Sequence, residues 1–357
     1  MLYAVIMAGG SGTRFWPASR RTRPKQLLRI DGANTMIRAT VERIAPVIPI
    51  ERTMVVTGAS HAAKIRLQLP EIEPTMFVEE PKGLNTAPCV ALAACKLAKS
   101  DPDSVMAVLP ADHLIEKQDD FRKALIDAAE VAAQGASLIT FGIVPDRPET
   151  GYGYIKLGPA AQQVGSRTVY KVDRFVEKPD KPTAEQYVAS GQFLWNSGMF
   201  IWRVDAIMRA FEAHLPQVCT ALEHAYHALN TPDEPAAIAC LYDELDPISI
   251  DYGIMEKASN VLTIPIDVGW NDVGSWDSLE GVWGKDDRGN VTRGDVFFID
   301  GMNCVVSSPL KLTALIGVED LIVVDTPDAL MICRKDRAQD VRKLHEQLEK
   351  NGWSHLL

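Results

Sequence analysis

Positions 2–7 are apolar almost throughout and run into Gly9, which predicts a strand buried on both faces that opens straight into a glycine-rich loop. The periodicity that follows predicts a helix over about 35–45, a strand over 53–57, and helices near 61–69 and 88–99. A second strongly apolar run at 104–109 reads as a strand, 121–133 as a helix and 137–144 as a further strand. Buried strands alternating with helices predict an α/β fold with a mostly parallel sheet covered on both faces. Ligands on such sheets sit beyond the carboxyl ends of the strands.

After Glu149 the rhythm becomes irregular, with short strands expected over 153–157, 169–176 and 199–202 and helical patterns between 204 and 241. From 294 to 333 short apolar runs (296–299, 304–307, 312–316, 321–324, 330–333) alternate with Gly, Pro and Asp turns, the pattern of a small all-β appendage. The tail opens on a capping pattern, Asp336 with Gln339, places Val341, Leu344 and Leu348 on one helical face, and stops at Gly352. The expected division is one large domain over 1–290, its nucleotide-binding part reaching about 148 and a second part spanning 149–290, followed by an appendage over 291–357.

Composition narrows the function. The 357 residues are 46% hydrophobic, enough for a sizeable core. Lys and Arg number 37 against 47 Asp and Glu, and the formal charge of -10 argues against nucleic acid as a partner while leaving room for a small anion in a local pocket. Six cysteines without a CxxC pair suggest reduced thiols rather than a zinc knuckle or disulfide framework. No run approaches the roughly 18 apolar residues of a membrane span and no signal peptide is legible, so a cytoplasmic location without membrane association is expected.

The loop Ala8-Gly9-Gly10-Ser11-Gly12-Thr13-Arg14 lets consecutive backbone N–H groups turn toward an anion, and Lys25 in Pro24-Lys25-Gln26 adds a mobile cation. It is neither a Walker loop nor the spaced GxGxxG fingerprint, and the glycines by themselves leave a plain turn open. The run 105–109 feeds into Pro110-Ala111-Asp112-His113, placing a carboxylate at a strand end, and a second acidic cluster, Gly269-Trp270-Asn271-Asp272-Val273-Gly274, lies far along the chain. One or two carboxylates with phosphate oxygens and water form an ordinary Mg²⁺ site, although each Asp alone also suits a turn or helix cap.

Met7–Ser19 together with Pro24-Lys25-Gln26 closely resembles the signature of sugar nucleotidyltransferases, and the Trp16-Pro17 and Lys25-Gln26 version resembles the mannose-1-phosphate guanylyltransferase branch. Six motifs in one order carry the likeness from about residue 2 to 289. It implies a Rossmann-like domain and an appendage like a short left-handed β-helix. The implied reaction joins GTP and mannose 1-phosphate into GDP-mannose and pyrophosphate, with Arg14, Lys25 and Mg²⁺ neutralising charge. The family's metal aspartates fall on Asp112 and Asp272.

Glu79–Ala87 matches its base-recognition segment, which implies Glu80 as acceptor for guanine with Asn85, Thr86 and Ala87 beside it, and Pro110 near the nucleotide. The sugar motifs fall on Gly151, Gly153, Glu177, Lys178 and Asn196, with Asp272, and Ile248–Glu256 is expected as a supporting helix. His113 need not act as a base, because the attacking sugar phosphate is already anionic. The appendage implies a homodimer, and it is too short for a cupin barrel, so isomerase activity is not expected. Transfer with another base or sugar, and a catalytically silent subunit sensing GDP-mannose, are the competing readings; retention of Lys25, Asp112 and Asp272 argues against the second.

Overall fold

A computed structural model describes residues 1–10 and 12–357, and Ser11 of the expected phosphate loop lies outside the described residues. The chain forms two compact units. The first comprises Met1–Gly9, Val41–Ala111 and Ile115–Trp270; the second comprises Gly10–Thr40, Asp112–Leu114 and Asn271–Leu357.

The first unit is built on a nine-stranded sheet. Its strands are β1 (Leu2–Ala8), β2 (Thr53–Gly58), β3 (Phe77–Glu80), β4 (Val105–Pro110), β5 (Leu138–Ile143), β6 (Tyr154–Val164), β7 (Arg167–Val176), β8 (Phe193–Arg203) and β9 (Val261–Ile266). They lie in the order β3-β2-β1-β4-β8-β5-β9-β7-β6. The expected parallel ladder holds from β3 through β4, with Val5 and Ile6 of β1 facing Met54 and Val55 on one side and Val108 and Leu109 on the other. Beyond β4 the sheet is mixed. Strand β8 runs antiparallel to both β4 and β5, and its first residues also pair with β6. One long strand thereby stitches the parallel half to the irregular half.

Helix Thr86–Ser100 is buried from Ala87 to Leu97, as its almost unbroken apolar sequence requires of a helix covered all round. Residues Ile248–Glu256, expected as an ordinary helix, instead carry a π-helical turn at Asp251–Met255, a widening often found at functional sites.

The second unit holds a four-stranded sheet in the order β10 (Val291–Ile299), β11 (Val305–Ile316), β12 (Leu321–Asp325) and β13 (Leu330–Arg334). The first three are parallel and the last turns back antiparallel. Two runs expected as separate strands, 304–307 and 312–316, merge into β11. Val305, Ile322, Val324 and Met331 share a core with Phe15, Trp16, Trp276 and Val341. The capping pattern in the tail is not used. Residues Lys335–Asp340 form a 3-10 helix, Asp336 pairs with Arg334, Gln339 donates to Ser275 Oγ at 3.0 Å, and the α-helix starts at Val341. Val341 is buried and Leu348 packs on the core, while Leu344 of the same expected face is exposed.

Candidate active site

In the second unit residues 12–19 and 24–26 of the signature fold around Lys25. Residues Thr13–Phe15 make a short 3-10 turn, and Gly12 before it sits at φ 60, the left-handed region. Ser19 Oγ donates to the Gly12 carbonyl at 2.7 Å and fixes the loop. Lys25 opens a second 3-10 turn and is 6% exposed, its stem lying directly against Gly12. Its Nζ donates to Asp112 Oδ2 and to the backbone carbonyl of Asp272, each at 2.7 Å. These two acidic residues, 160 positions apart in sequence (272 minus 112), are held by one ammonium.

Burial works to raise the pKa of Asp112, yet the Lys25 ammonium, His113 and hydrogen bonds outweigh it and hold the carboxyl below its ordinary range. Asp112 is therefore ionised at neutral pH. Asp272 is presented by two successive side-chain turns: Asn271 Oδ1 accepts from the Val273 amide at 2.7 Å, and Asp272 Oδ1 from the Gly274 amide at 3.1 Å. Between them Val273 sits at φ 48, a conformation costing a β-branched residue about 1–3 kcal/mol, and complete burial of its side chain holds it there. Gly12, Thr13, Arg14, Lys25, Asp112 and Asp272 line one cavity of about 510 Å³. No cluster of three or more His, Cys, Asp or Glu suited to a metal occurs among the described residues. Of the acidic residues lining the cavity, Asp112 and Asp272 stand next to Lys25 while Glu346 pairs with Arg342, which leaves most positions around a hard cation to substrate oxygens and water.

Glu80, at the end of β3 in the first unit, is 7% exposed and accepts from Tyr242 Oη at 2.8 Å through Oε1. Its other oxygen faces Gly9, where an added Cβ would lie 3.8 Å away. Burial pushes Glu80 up to about 7, and the Tyr242 hydrogen bond only partly offsets this. Because the folded value exceeds the ordinary 4.5, Glu80 stabilises the fold at low pH and loses that contribution as pH rises through about 7. Glu80→Gln is accordingly expected to melt above the wild type at pH 8 and not at pH 5; an equal difference in Tm at both pH values would contradict the buried-charge assignment. Asn85, at φ 67, caps helix Thr86–Ser100 by accepting from the Thr86 amide at 2.9 Å. The Thr86 hydroxyl accepts from the Ile250 amide at 2.8 Å and the Ala87 amide donates to the Ile248 carbonyl at 3.0 Å. Those two groups anchor the π-helical segment. Pro110 pairs with Met7 at the end of β4.

A second cluster of the first unit gathers residues of the expected sugar motifs other than Asp272, which belongs to the second unit. Glu149 Oε1 accepts from the Gly151 amide at 3.0 Å. A Cβ on Gly153 would stand 2.5 Å from Glu177 Oε2, so the absence of a side chain there is what makes room for that carboxylate. Glu177 Oε1 takes the Lys178 ammonium, while Oε2 is buried with no hydrogen-bond partner among the described residues. A buried carboxylate oxygen of this kind is costly unless a ligand hydroxyl completes it. Asn196 Nδ2 donates to Asp251 Oδ1 at 2.9 Å, and Asn196 Oδ1 accepts from Thr140 and Gly198 at 3.2 Å. Asp251 is pushed up to about 7, by burial first and then by the charge of Glu177. Tyr152 packs edge-on against Trp195 and Trp270, at 5.1 and 5.3 Å between centroids.

Sequence reasoning singled out neither Tyr242 nor Asp251 as chemical groups. Tyr242 carries no local signal at all, whereas Asp251 stood inside a motif expected only to support the pocket.

Residues 3–287 match the nucleotidyl transferase family and 294–348 a MannoseP isomerase/GMP-like beta-helix domain. The chain belongs to the nucleotidyl transferase family. Among relatives of this nucleotidyl transferase, the mannose-1-phosphate guanylyltransferase of Klebsiella pneumoniae is 41% identical over 354 residues, covering 98% of this chain and 74% of that protein. Alginate biosynthesis protein AlgA of Pseudomonas aeruginosa is 42% identical over 357 residues, covering 98% and 73%. A crystal structure described as a mannose-1-phosphate geranyltransferase from Thermus thermophilus superposes with a TM-score of 0.87 at 36% identity, over 98% of this chain and 99% of that one.

Proposed function

We propose that this nucleotidyl transferase transfers GMP from GTP to α-D-mannose 1-phosphate, giving GDP-mannose and pyrophosphate. The observation that carries the reading is Lys25 bonded at once to the Asp112 carboxylate and the Asp272 carbonyl in a cavity lined by Gly12, Thr13 and Arg14. Relatives about 40% identical over nearly the whole chain, named as mannose-1-phosphate guanylyltransferases, support the choice of base and sugar.

A phosphate oxygen of mannose 1-phosphate attacks the α-phosphorus of GTP as the bond from that phosphorus to the β-bridging oxygen breaks, and pyrophosphate leaves. The nucleophile is already an anion, so no side chain need take a proton. The barrier is then one of bringing two polyanions together, and positioning with charge stabilisation is what a protein can supply. Arg14, with the amides of Gly12 and Thr13, holds the triphosphate, while Lys25 follows the charge that moves onto the leaving group. Glu80 accepts from the guanine N1–H and 2-amino donors, and Glu177, Lys178 and Asn196 bind the sugar hydroxyls and phosphate. The ionised Asp112 and the adjacent Asp272 are the hard oxygen donors that fit Mg²⁺, whose bound charge would neutralise phosphate oxygens.

The test is pyrophosphate release by purified protein from a panel of nucleoside triphosphates and sugar 1-phosphates in the presence of Mg²⁺. GTP with mannose 1-phosphate should give the highest kcat/KM; a higher value for any other pair would overturn the assignment.

No helix of the described residues is long and apolar enough to cross a membrane, which accords with action on water-soluble substrates. The protein is proposed to act as a homodimer in the cytoplasm. Support comes from a row of exposed apolar side chains on neighbouring strands of the appendage: Phe297 and Ile299 on β10, Leu312 and Ile316 on β11, with Ile299 directly opposite Ile316. Light scattering should give twice the chain mass for the wild type and the single mass for Ile316→Asp.

A further inference from the structure

The cavity that holds Lys25 has a wall from the far end of the chain. Arg342, His345 and Glu346, on the helix Val341–Lys350, line it together with Gly12, Asp112 and Asp272. Their spacing of three and four residues puts all three on one helical face. The helix is fixed against the signature segment rather than hanging beside it. Val341 is buried in the core formed by Phe15 and Trp16, Arg21 pairs with Glu349, and Trp16 Nε1 donates to the Leu356 carbonyl at 2.8 Å. Any molecule filling this cavity therefore meets Arg342 and His345 as well as Gly12, Thr13 and Arg14.

Charge decides what that molecule is. Of the Lys and Arg in the expected motifs, Arg14 and Lys25 line this cavity, and the charge of Lys25 is shared with Asp112. Arg342 adds a planar guanidinium, the group whose paired N–H donors match phosphate oxygens. Its partner is Glu346, 3.5 Å away, in a pair whose side chains are both more than half exposed. Such a pair is weak, so Arg342 can exchange it for a phosphate at little cost.

We propose that Arg342, with His345 one turn further on, binds the outer phosphates of the nucleoside triphosphate and the pyrophosphate released from them. This rests on the reaction proposed above and adds the C-terminal helix to the site.

Forward and reverse kinetics test it, once the wild type has been shown to turn over GTP and mannose 1-phosphate. Arg342→Ala should raise KM for GTP, and KM for pyrophosphate in the reverse direction, each about tenfold, the effect of losing one charge-assisted contact. KM for mannose 1-phosphate and for GDP-mannose should stay within twofold, Tm should not move, and Arg342→Lys should recover part of the loss. His345→Ala should show the same selectivity with a smaller rise. Calorimetric titration of pyrophosphate into the wild type and Arg342→Ala should show the same weakening without any turnover. Unchanged pyrophosphate affinity in the double variant Arg342→Ala/His345→Ala would overturn the proposal, as would a uniform rise in all four KM values with a lower Tm. A wild type inactive on GTP and mannose 1-phosphate but still binding pyrophosphate through Arg342 would overturn the reaction and leave the phosphate contact standing.

Discussion

Lys25→Ala is expected to lower kcat by at least about a hundredfold, the scale seen when one preorganised donor to developing charge is removed. The reason lies in how many things the one ammonium does. It neutralises Asp112, ties down the carbonyl of Asp272 and stands in the cavity proposed for the triphosphate. Its removal leaves the Asp112 carboxylate facing polyphosphate without the Lys25 charge and the Asp272 carbonyl without this donor. Stability should respond as well. The Asp112 pKa lies below its unfolded value, so the pair stabilises the fold above the ordinary carboxylate range and loses that contribution as pH falls through the lowered value. The variant should thus lose more Tm at pH 7 than at pH 3. Lys25→Arg should not restore activity, because a planar fork cannot follow the stem of a lysine packed against Gly12. Single-turnover measurement at saturating GTP and mannose 1-phosphate decides the matter, and a kcat within threefold of wild type would remove Lys25 from the chemistry.

Gly12→Ala should be nearly as damaging although it removes no functional group. A Cβ at position 12 would overlap the Cβ of Lys25 and stand 3.0 Å from its backbone nitrogen, and the residue would be held at φ +60 besides. Backbone cannot yield as a flexible side-chain end can, so Lys25 must shift, and displacement of a positioned group by 1 Å costs about a hundredfold. The comparison that isolates the cause is Gly10→Ala. Gly10 also has a positive φ, +90, but an added methyl meets nothing within 4 Å. It should show only the backbone strain of about 1–2 kcal/mol in stability and a small kinetic effect. Equal kcat/KM losses in the two variants would show that loop strain, and not the seat of Lys25, governs activity.

Much of this was legible before any coordinates. The apolar run at 2–7 followed by glycines specified a central strand and its loop, because strands buried on both faces tolerate almost no polar residue. The pattern near 88–99 likewise specified a helix, while its burial on all sides came from the structure. The acidic positions Asp112 and Asp272 were identifiable as motif members from their neighbours. What could not be read was that Lys25 would be the group joining them, since a lysine's partner depends on where three distant backbones meet.

The local chemistry of the sequence determined which segments become strands, which turn carries glycine because glycine adopts a positive φ without strain, and which side chains are able to bind phosphate, base or sugar. Only the tertiary structure decided that Tyr242 completes Glu80, that Asp251 holds Asn196, and that the helix carrying Arg342 closes the cavity around Lys25. Periodicity and turn chemistry act between residues a few positions apart and leave a trace in the local pattern. Hydrogen bonds and cavity walls join residues from tens to hundreds of positions apart, and they exist only once the cores have packed.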